Sequence, residues 1–543
     1  MKPKKELLNS RRGFLKTTAQ ASAVVFVGSR VKAAAEPPFI IRDFELEEIT
    51  IAELQAGMKT GKYTARSLVE SYLSRIEAID KNGPAVNSVI ELNPDALAIA
   101  DALDKEQRET GSRSQLHGIP MLIKDNIDTA DRMRTSAGSL ALDQSTPAKD
   151  AFVAQKLREA GAIILGKTNL SEWANFRSTH STSGWSGRGG LTKNPYALDR
   201  NPCGSSSGSG VAAAANLCAA AIGTETDGSI VCPSNMNSLV GIKPTVGLVS
   251  RAGIIPISHT QDTAGPMCRT VTDAAIVLGA LTGIDPRDKT TLQSRGKALT
   301  DYTKFLDANG LKGARLGIVR KSFGFNPAVD ILMNEAIAAM KRAGAIIVDP
   351  ANIPHVGEYD DSEFEVLLYE FKADLNAYLA GLGAKAPAKS LKELIDYNQK
   401  HRDREMPYFE QEIFMRSEAK GDLKSPAYLK ALAKNLRLSR TEGIDAVMLK
   451  HKLDALIAPT GGPPWTTDLV NGDHFSGGLS SPPAVAGYPH ITMPLGYIFG
   501  LPVGISFAGR AYTEPTLIKI AYAFEQISKV RKPPKFLPTA DLR

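Results

Sequence analysis

The sequence is poor in cysteine and has no cysteine pair spaced to hold a metal. Its four cysteines, Cys203, Cys218, Cys232 and Cys268, sit in the central third without a C-x-x-C step, and its eight histidines lie far from them. No zinc site is readable from that pattern, and inert buried thiols are the expectation for all four. Nor does any run reach the roughly 18 to 20 unbroken apolar residues of a membrane span, which argues against stable membrane association. Internal repeats, low-complexity tracts and Pro/Ser linkers are absent after residue 40. These absences leave one large globular unit as the reading, with no metal or other cofactor called for.

Basic charge is also scarce outside one place. The first 35 residues hold eight basic residues and one acid, Glu6, and so carry the whole of the formal net charge of +7. The rest of the chain is near neutral, which removes the electrostatic reason to expect nucleic acid as a partner. That basic segment contains "SRRGFLK" (Ser10 to Lys16), then a moderately apolar stretch, then Ala33-Ala34-Ala35. It resembles a twin-arginine export signal with a small-residue cleavage site. The expectation is a signal peptide over 1–35, the export machinery as partner of the precursor, and a periplasmic or secreted mature chain.

From about Phe44 the pattern is α/β. "ARSLVESYLSRI" has helical spacing with Thr64 before it as N-cap. "GIPMLIKDNID" is a short apolar run behind Gly118-Ile119-Pro120, hence a buried strand, and a helix stopped by Gly161 precedes another at Ala162 to Leu165. "ARLGIVR", "AIIVDP", "DALIAPT", "HITMPLGY" and "LPVGISFAG" supply later strands. Strands alternating with helices predict a single domain over 36–543, a sheet covered on both faces, with a mainly helical region at about 286–450.

The most conspicuous stretch is "NPCGSSSGSGVAAAAN", residues 201–216. Gly204-Ser205-Ser206-Ser207-Gly208 satisfies the G-x-S-x-G pattern of an esterase nucleophile elbow. An elbow needs a strand running into it, and "LTKNPYALDRNP" reads instead as loop. The same stretch lacks the Lys-Ser/Thr step of a phosphate-binding loop. Two other features carry more: Lys124 at the end of an apolar strand, where burial disfavours the ammonium form, and a second glycine-serine step, Gly228-Ser229, in "GTETDGSI".

Lys124 in "GIPMLIKDN", the serine-glycine stretch from Gly204 and "GTETDGSI", in that order, resemble the amidase signature family of serine hydrolases. "GKTNLSEWANF", "GIKPTVGLVSR", "QDTAGPM" and "AGYPHITMPLG…GLPVGISFAGR" match other hallmarks, so the resemblance covers about residues 45–530. Its wording is most like the bacterial peptide amidases. The resemblance implies a mixed-sheet α/β fold, a Ser-cisSer-Lys triad and no cofactor. It assigns Ser229 as nucleophile, Ser205, 24 positions earlier, as relay through a cis peptide, and Lys124 as base. The oxyanion donors would be the backbone N–H groups of Thr226, Asp227, Gly228 and Ser229, and Asn175 would line the acyl side of the pocket or cap a helix. Glu225, Asp227 and Val231 depart from the Asp, Gly and Arg of many members. The implied activity is hydrolysis of a primary amide, the C-terminal amide of a peptide, to carboxylate and ammonia. Its alternatives are an aryl-acylamidase or esterase on the same triad and a non-catalytic periplasmic binding protein. The family also includes aminoacyl-tRNA amidotransferase subunits, from which the export signal sets this chain apart.

Overall fold

Thirteen strands are present among the described residues, 39, 41–382 and 388–542, of the computed structural model. In chain order they begin β1 (Val89–Leu92), β2 (Pro120–Lys124), β3 (Ile163–Thr168), β4 (Trp185–Ser186), β5 (Gly190–Leu191), β6 (Ala220–Glu225) and β7 (Val240–Lys243). There follow β8 (Thr263–Cys268), β9 (Arg315–Ile318), β10 (Ile346–Val348), β11 (Ala455–Pro459), β12 (His490–Ile498) and β13 (Leu501–Ala508). Eleven of them make one sheet in the order β1-β3-β2-β6-β8-β7-β12-β13-β11-β9-β10, and β4 pairs with β5 alone. The stretches β3-β2-β6 and β11-β9-β10 are parallel, and the other pairings are antiparallel. This is the expected mixed sheet flanked by helices. It belongs wholly to the unit of residues 37–543. The twin-arginine segment and Ala33-Ala34-Ala35 lie outside the described residues.

Local chemistry explains much of the layout. The helix Ala65–Ile76 starts where Thr64 accepts a hydrogen bond from the backbone of Ser67, as the sequence predicts. β2, β3 and β6 are buried at every position, so both of their faces read as apolar or small. The region 286–450 is less uniformly helical than its overall reading: β9 and β10 form the far edge of the sheet, and the helical layer proper runs from Asp360 to His451. That layer has its own apolar core, in which Phe371 and Phe414 pack on Phe176 and Trp173 of the "SEWANF" loop. None of the described helices is long and apolar enough to cross a membrane.

The cysteine expectation needs correction. Cys218 and Cys268 are free and buried, and burial pushes the Cys218 thiol up to about 12. Cys203 and Cys232, however, form a disulfide with their Cα atoms 6.0 Å apart, closing 29 residues of chain. No spacing rule exposes such a pair, because the loop and the helix that carry it meet only in the folded chain. Together with Met236 and Trp465 the two sulfurs form a small apolar cluster. Loop-closure entropy for this separation corresponds to about 3.5 kcal/mol. Thiol titration in denaturant should therefore find two reactive cysteines before reduction and four after, with a melting temperature on the order of 3 °C lower in the Cys203→Ser/Cys232→Ser variant. Four reactive thiols before reduction would rule the bridge out.

Candidate active site

Lys124 ends β2, the third of the eleven strands in sheet order, and is fully buried. The parallel register that sets Ile123 beside Ile222 brings the lysine to the end of β6. Its Nζ lies 2.8 Å from Ser205 Oγ, 2.9 Å from Thr224 Oγ1 and 3.4 Å from the Thr224 carbonyl. Burial pushes its pKa down to about 7, against the opposing charges of Asp262 and Glu225. Asp125 turns to the other face, as strand alternation requires. There its carboxylate accepts from Ser136 Oγ and Gly138 N and pairs with Arg188. Two further lysines, Lys167 and Lys243, are also fully buried, but they donate to Ile127 O, Arg134 O, Thr135 Oγ1 and Pro244 O. Among the described buried lysines, only Lys124 meets a serine.

The four serines of the glycine-rich stretch have separate employments. Ser206 Oγ donates to the Thr224 carbonyl (3.0 Å) and accepts from its N–H (3.2 Å), clasping the turn onto β6. Ser207 donates to Cys203 O and Ser209 to Ile222 O, so both are tied to backbone. Ser205 alone turns to Lys124, and the Gly204–Ser205 peptide is cis. Close approach explains two glycines here. A Cβ on Gly204 would lie 2.2 Å from Ser171 Oγ, and one on Gly223 would lie 2.9 Å from Ser206 Oγ. Ser206, the centre of the apparent elbow, is thus a buried clasp.

A strand-turn-helix does exist, one motif later. β6 runs straight into the turn Thr226–Ile230, which passes through Gly228 at φ +80° and opens the helix Val231–Met236. Glu225 draws this turn tight, because its carboxylate accepts from Ile230 N (2.7 Å) and Val231 N (3.0 Å) at the helix start. Thr226 Oγ1 donates to Asp262, which also accepts from Ile257 N and Ser258 N. The N–H groups of Thr226, Asp227, Gly228 and Ser229 donate to no group among the described residues. They are therefore open to an acceptor from outside. Ser229 is 8% exposed, and its carbonyl accepts from Ser206 N at 3.2 Å, fastening the two serine turns together.

Asn175 caps no described helix. It sits at φ +69° with Nδ2 on Ser183 Oγ (3.0 Å) and Oδ1 accepting from Ser181, close against the Gly204 turn. Thr224 and Asn126 were missed by sequence reasoning. Asn126 Nδ2 donates to Thr224 Oγ1 at 3.0 Å and so orients the hydroxyl that also serves Lys124. The signal lay inside "GTETDGS", which reads as polar loop but whose first half is strand. His259, Glu370 and Asp374 offer atoms within 4.8 Å of one another, the geometry of a cation site. Glu370 is already engaged by Ser258, Thr260 and Tyr428, and Asp374 by His259, so the cluster works as a latch between a loop and the helix Asp360–Gly381.

Comparison with known proteins agrees with this geometry. The Amidase family model matches residues 67–518. A probable amidase of Arabidopsis thaliana is 45% identical over 91% of this chain and 93% of its own. The crystal structure of the peptide amidase PAM with the competitive inhibitor chymostatin superposes with a TM-score of 0.87, at 51% identity over 90% of this chain and 100% of that one. Native peptide amidase from Stenotrophomonas maltophilia gives the same TM-score of 0.87, at 50% identity over 91% of this chain and all of its own. With its fold, its motifs and nearly its whole length in agreement, the chain belongs to the amidase signature family of hydrolases.

Proposed function

We propose that this amidase removes the C-terminal amide of peptides through an acyl-enzyme, with Ser229 as nucleophile, Ser205 as relay and Lys124 as base. The observation that carries the reading is the buried Lys124 amine, 2.8 Å from Ser205 and held by Thr224. An ordinary lysine is about one part in a thousand neutral at neutral pH. With its pKa pushed down to about 7, about half of this one is neutral there. A neutral amine has two N–H bonds and one lone pair. Thr224 offers acceptors for both N–H bonds, which leaves the lone pair for the Ser205 proton. The likeness to peptide amidases favours a peptide amide over an aryl substrate.

Each step then balances. Ser229 Oγ attacks the amide carbonyl carbon while its proton passes to Ser205 and that of Ser205 to Lys124. The oxyanion takes the open N–H groups of the 226–229 turn. Collapse breaks the C–N bond, and the proton returns along the same path to release ammonia. Water repeats the sequence on the ester and frees the carboxylate. Ser229→Ala should abolish ammonia release from amidated peptides and labelling by a fluorophosphonate. Thr224→Val should lower kcat about tenfold at unchanged KM, the worth of one hydrogen bond to the base. Ser206→Ala should keep its labelling. A Ser229→Ala protein that still labels, beside a Ser206→Ala protein that does not, would overturn the assignment.

The lysine also makes a stability prediction of defined sign. The unfolded chain holds this proton up to the ordinary pKa near 10.4, whereas the folded chain releases it near 7. Burial of the amine therefore weighs fully on the fold below pH 7 and fades as pH rises towards 10.4. Lys124→Met should lose several orders of magnitude in kcat yet melt no lower than wild type at pH 6. Wild-type activity should rise with pH through one ionisation near 7 that no histidine substitution removes. A Lys124→Met protein that is folded and active would refute the base.

Export is part of the proposal, supported by "SRRGFLK" and by a disulfide suited to an oxidising compartment. Changing Arg11-Arg12 to Lys-Lys should leave the precursor in the cytoplasm. Efficient appearance of that variant in the periplasm would contradict the twin-arginine route.

A further inference from the structure

The nucleophile turn has a second chemical neighbourhood besides Lys124. Asp227, two residues before Ser229, points its carboxylate toward Ser480 and Ser481, and one of its oxygens is buried without a hydrogen-bond partner among the described residues. Ser480 also borders Gly228, where an added Cβ would lie 3.5 Å from its hydroxyl. Gln261 Nε2 bridges from the Thr226 carbonyl (3.4 Å) to Glu363 Oε1 (2.9 Å), bringing a second buried carboxylate to the same turn. Tyr359, fully buried beside Glu363 and Asp227, has a hydroxyl without any partner among the described residues. Asp360, exposed, completes the rim.

No described cation pairs with Asp227, Glu363 or Asp360. The positive charge that acts on Asp227 is Lys243, which is shared with Glu225 and Glu514 and donates to Pro244 O. Burial raises both Asp227 and Glu363 above the ordinary carboxylate range, each raised further by other acids of the cluster. Uncompensated carboxyls are expensive to bury, and beside a catalytic turn they point to function rather than to stability. The helix dipole accounts for Asp360 and Asp361 in the first turn of Asp360–Gly381. It does not account for Asp227, which comes from another element. The three acids are also too dispersed for one metal ion: among the described residues only His259, Glu370 and Asp374 bring ligand atoms within 4.8 Å of one another. An ammonium or guanidinium on a flexible stem can span such a site.

We propose that Asp227 and Glu363, with the Tyr359 hydroxyl beneath them, form a subsite for a positively charged group on the acyl part of the amide. The site deepens the amidase reading and rests on it. Two residues of backbone span at most about 7 Å, so the Asp227 carboxylate is within reach of a Lys or Arg side chain or a free α-ammonium on the residue being deamidated.

The test compares kcat/KM for N-acetyl-lysine amide and N-acetyl-arginine amide with N-acetyl-norleucine amide, and for norleucine amide with a free amine against its acetylated form. Wild type should prefer one cationic arm by about tenfold, equivalent to about 1.4 kcal/mol, through KM. The ratios are read at pH 6 and at pH 8, and the arm that shows the preference identifies the cation. Glu363→Gln should bring that ratio to about one, and Glu363→Asp should restore part of it. Turnover of N-acetyl-norleucine amide with no cationic preference at either pH would overturn the subsite alone. Absence of ammonia from all of these amides would overturn the amidase reading and the subsite with it.

Discussion

A primary amine buried at the end of an interior strand is the constraint around which this protein is arranged. Lys124 can act as a base only if water is kept from it, yet a dry amine needs acceptors for its hydrogens. β2 and β6 supply both conditions. Their parallel pairing, in the third and fourth places of eleven strands, delivers the lysine to Thr224 and to nothing more basic. The cost is borne by the fold, since a hydrocarbon side chain of the same length would fill the space without the penalty.

Holding the amine fixes what surrounds it. Ser205 must stay within hydrogen-bond reach of an amine that cannot move, so its turn is fastened three times over. Ser206 clasps β6, Ser206 N holds the Ser229 carbonyl, and Cys203 is joined covalently to Cys232. Cys203 lies two residues before Ser205 and Cys232 three after Ser229, so the disulfide staples the Ser205 turn to the helix that follows Ser229. Small residues make this closeness possible. A side chain at Gly204 would collide with Ser171 and Ser183, and one at Gly223 with Ser206 and Met267. The helical layer from Asp360 then seals the neighbourhood by packing Phe371 and Phe414 against the loop of Trp173 and Phe176.

Much of this was legible in the sequence, because apolar runs bounded by glycine and proline report strands wherever burial is two-sided. β2, β3 and the strands from β9 through β13 follow that rule. β6 and β8 do not, although both lie at the centre. β6 ends in polar residues because Thr224 holds Lys124 and Glu225 draws in the turn that follows, and β8 contains Gly265 and Pro266, which argue against a central strand. The structure resolves that contradiction at Gly265, where a Cβ would lie 1.9 Å from the Ile242 carbonyl, so β7 can approach only a glycine. Lys124, Ser205 and Ser229 stood out through spacing and resemblance. Thr224 and the disulfide did not, since both depend on which chain segments meet, and that is a property of the sheet order.

The electrostatic balance explains why two acids near Lys124 do not restore its ordinary pKa. Asp262 and Glu225 both favour the ammonium form of Lys124. Were they freely ionised in the same dry interior, they would hold its proton. The backbone N–H groups of Ile230 and Val231 on Glu225, and of Ile257 and Ser258 on Asp262, favour the ionised carboxylates. Burial outweighs them and raises both carboxyls, Asp262 to about 6. The desolvation that frees the lysine therefore also weakens the acids opposing it, and their remaining charge is spent on shaping the turn that presents Ser229. The environment of the Lys124 amine and the shape of the turn that carries Ser229 are set by the same few carboxylates, which ties Glu225 to both.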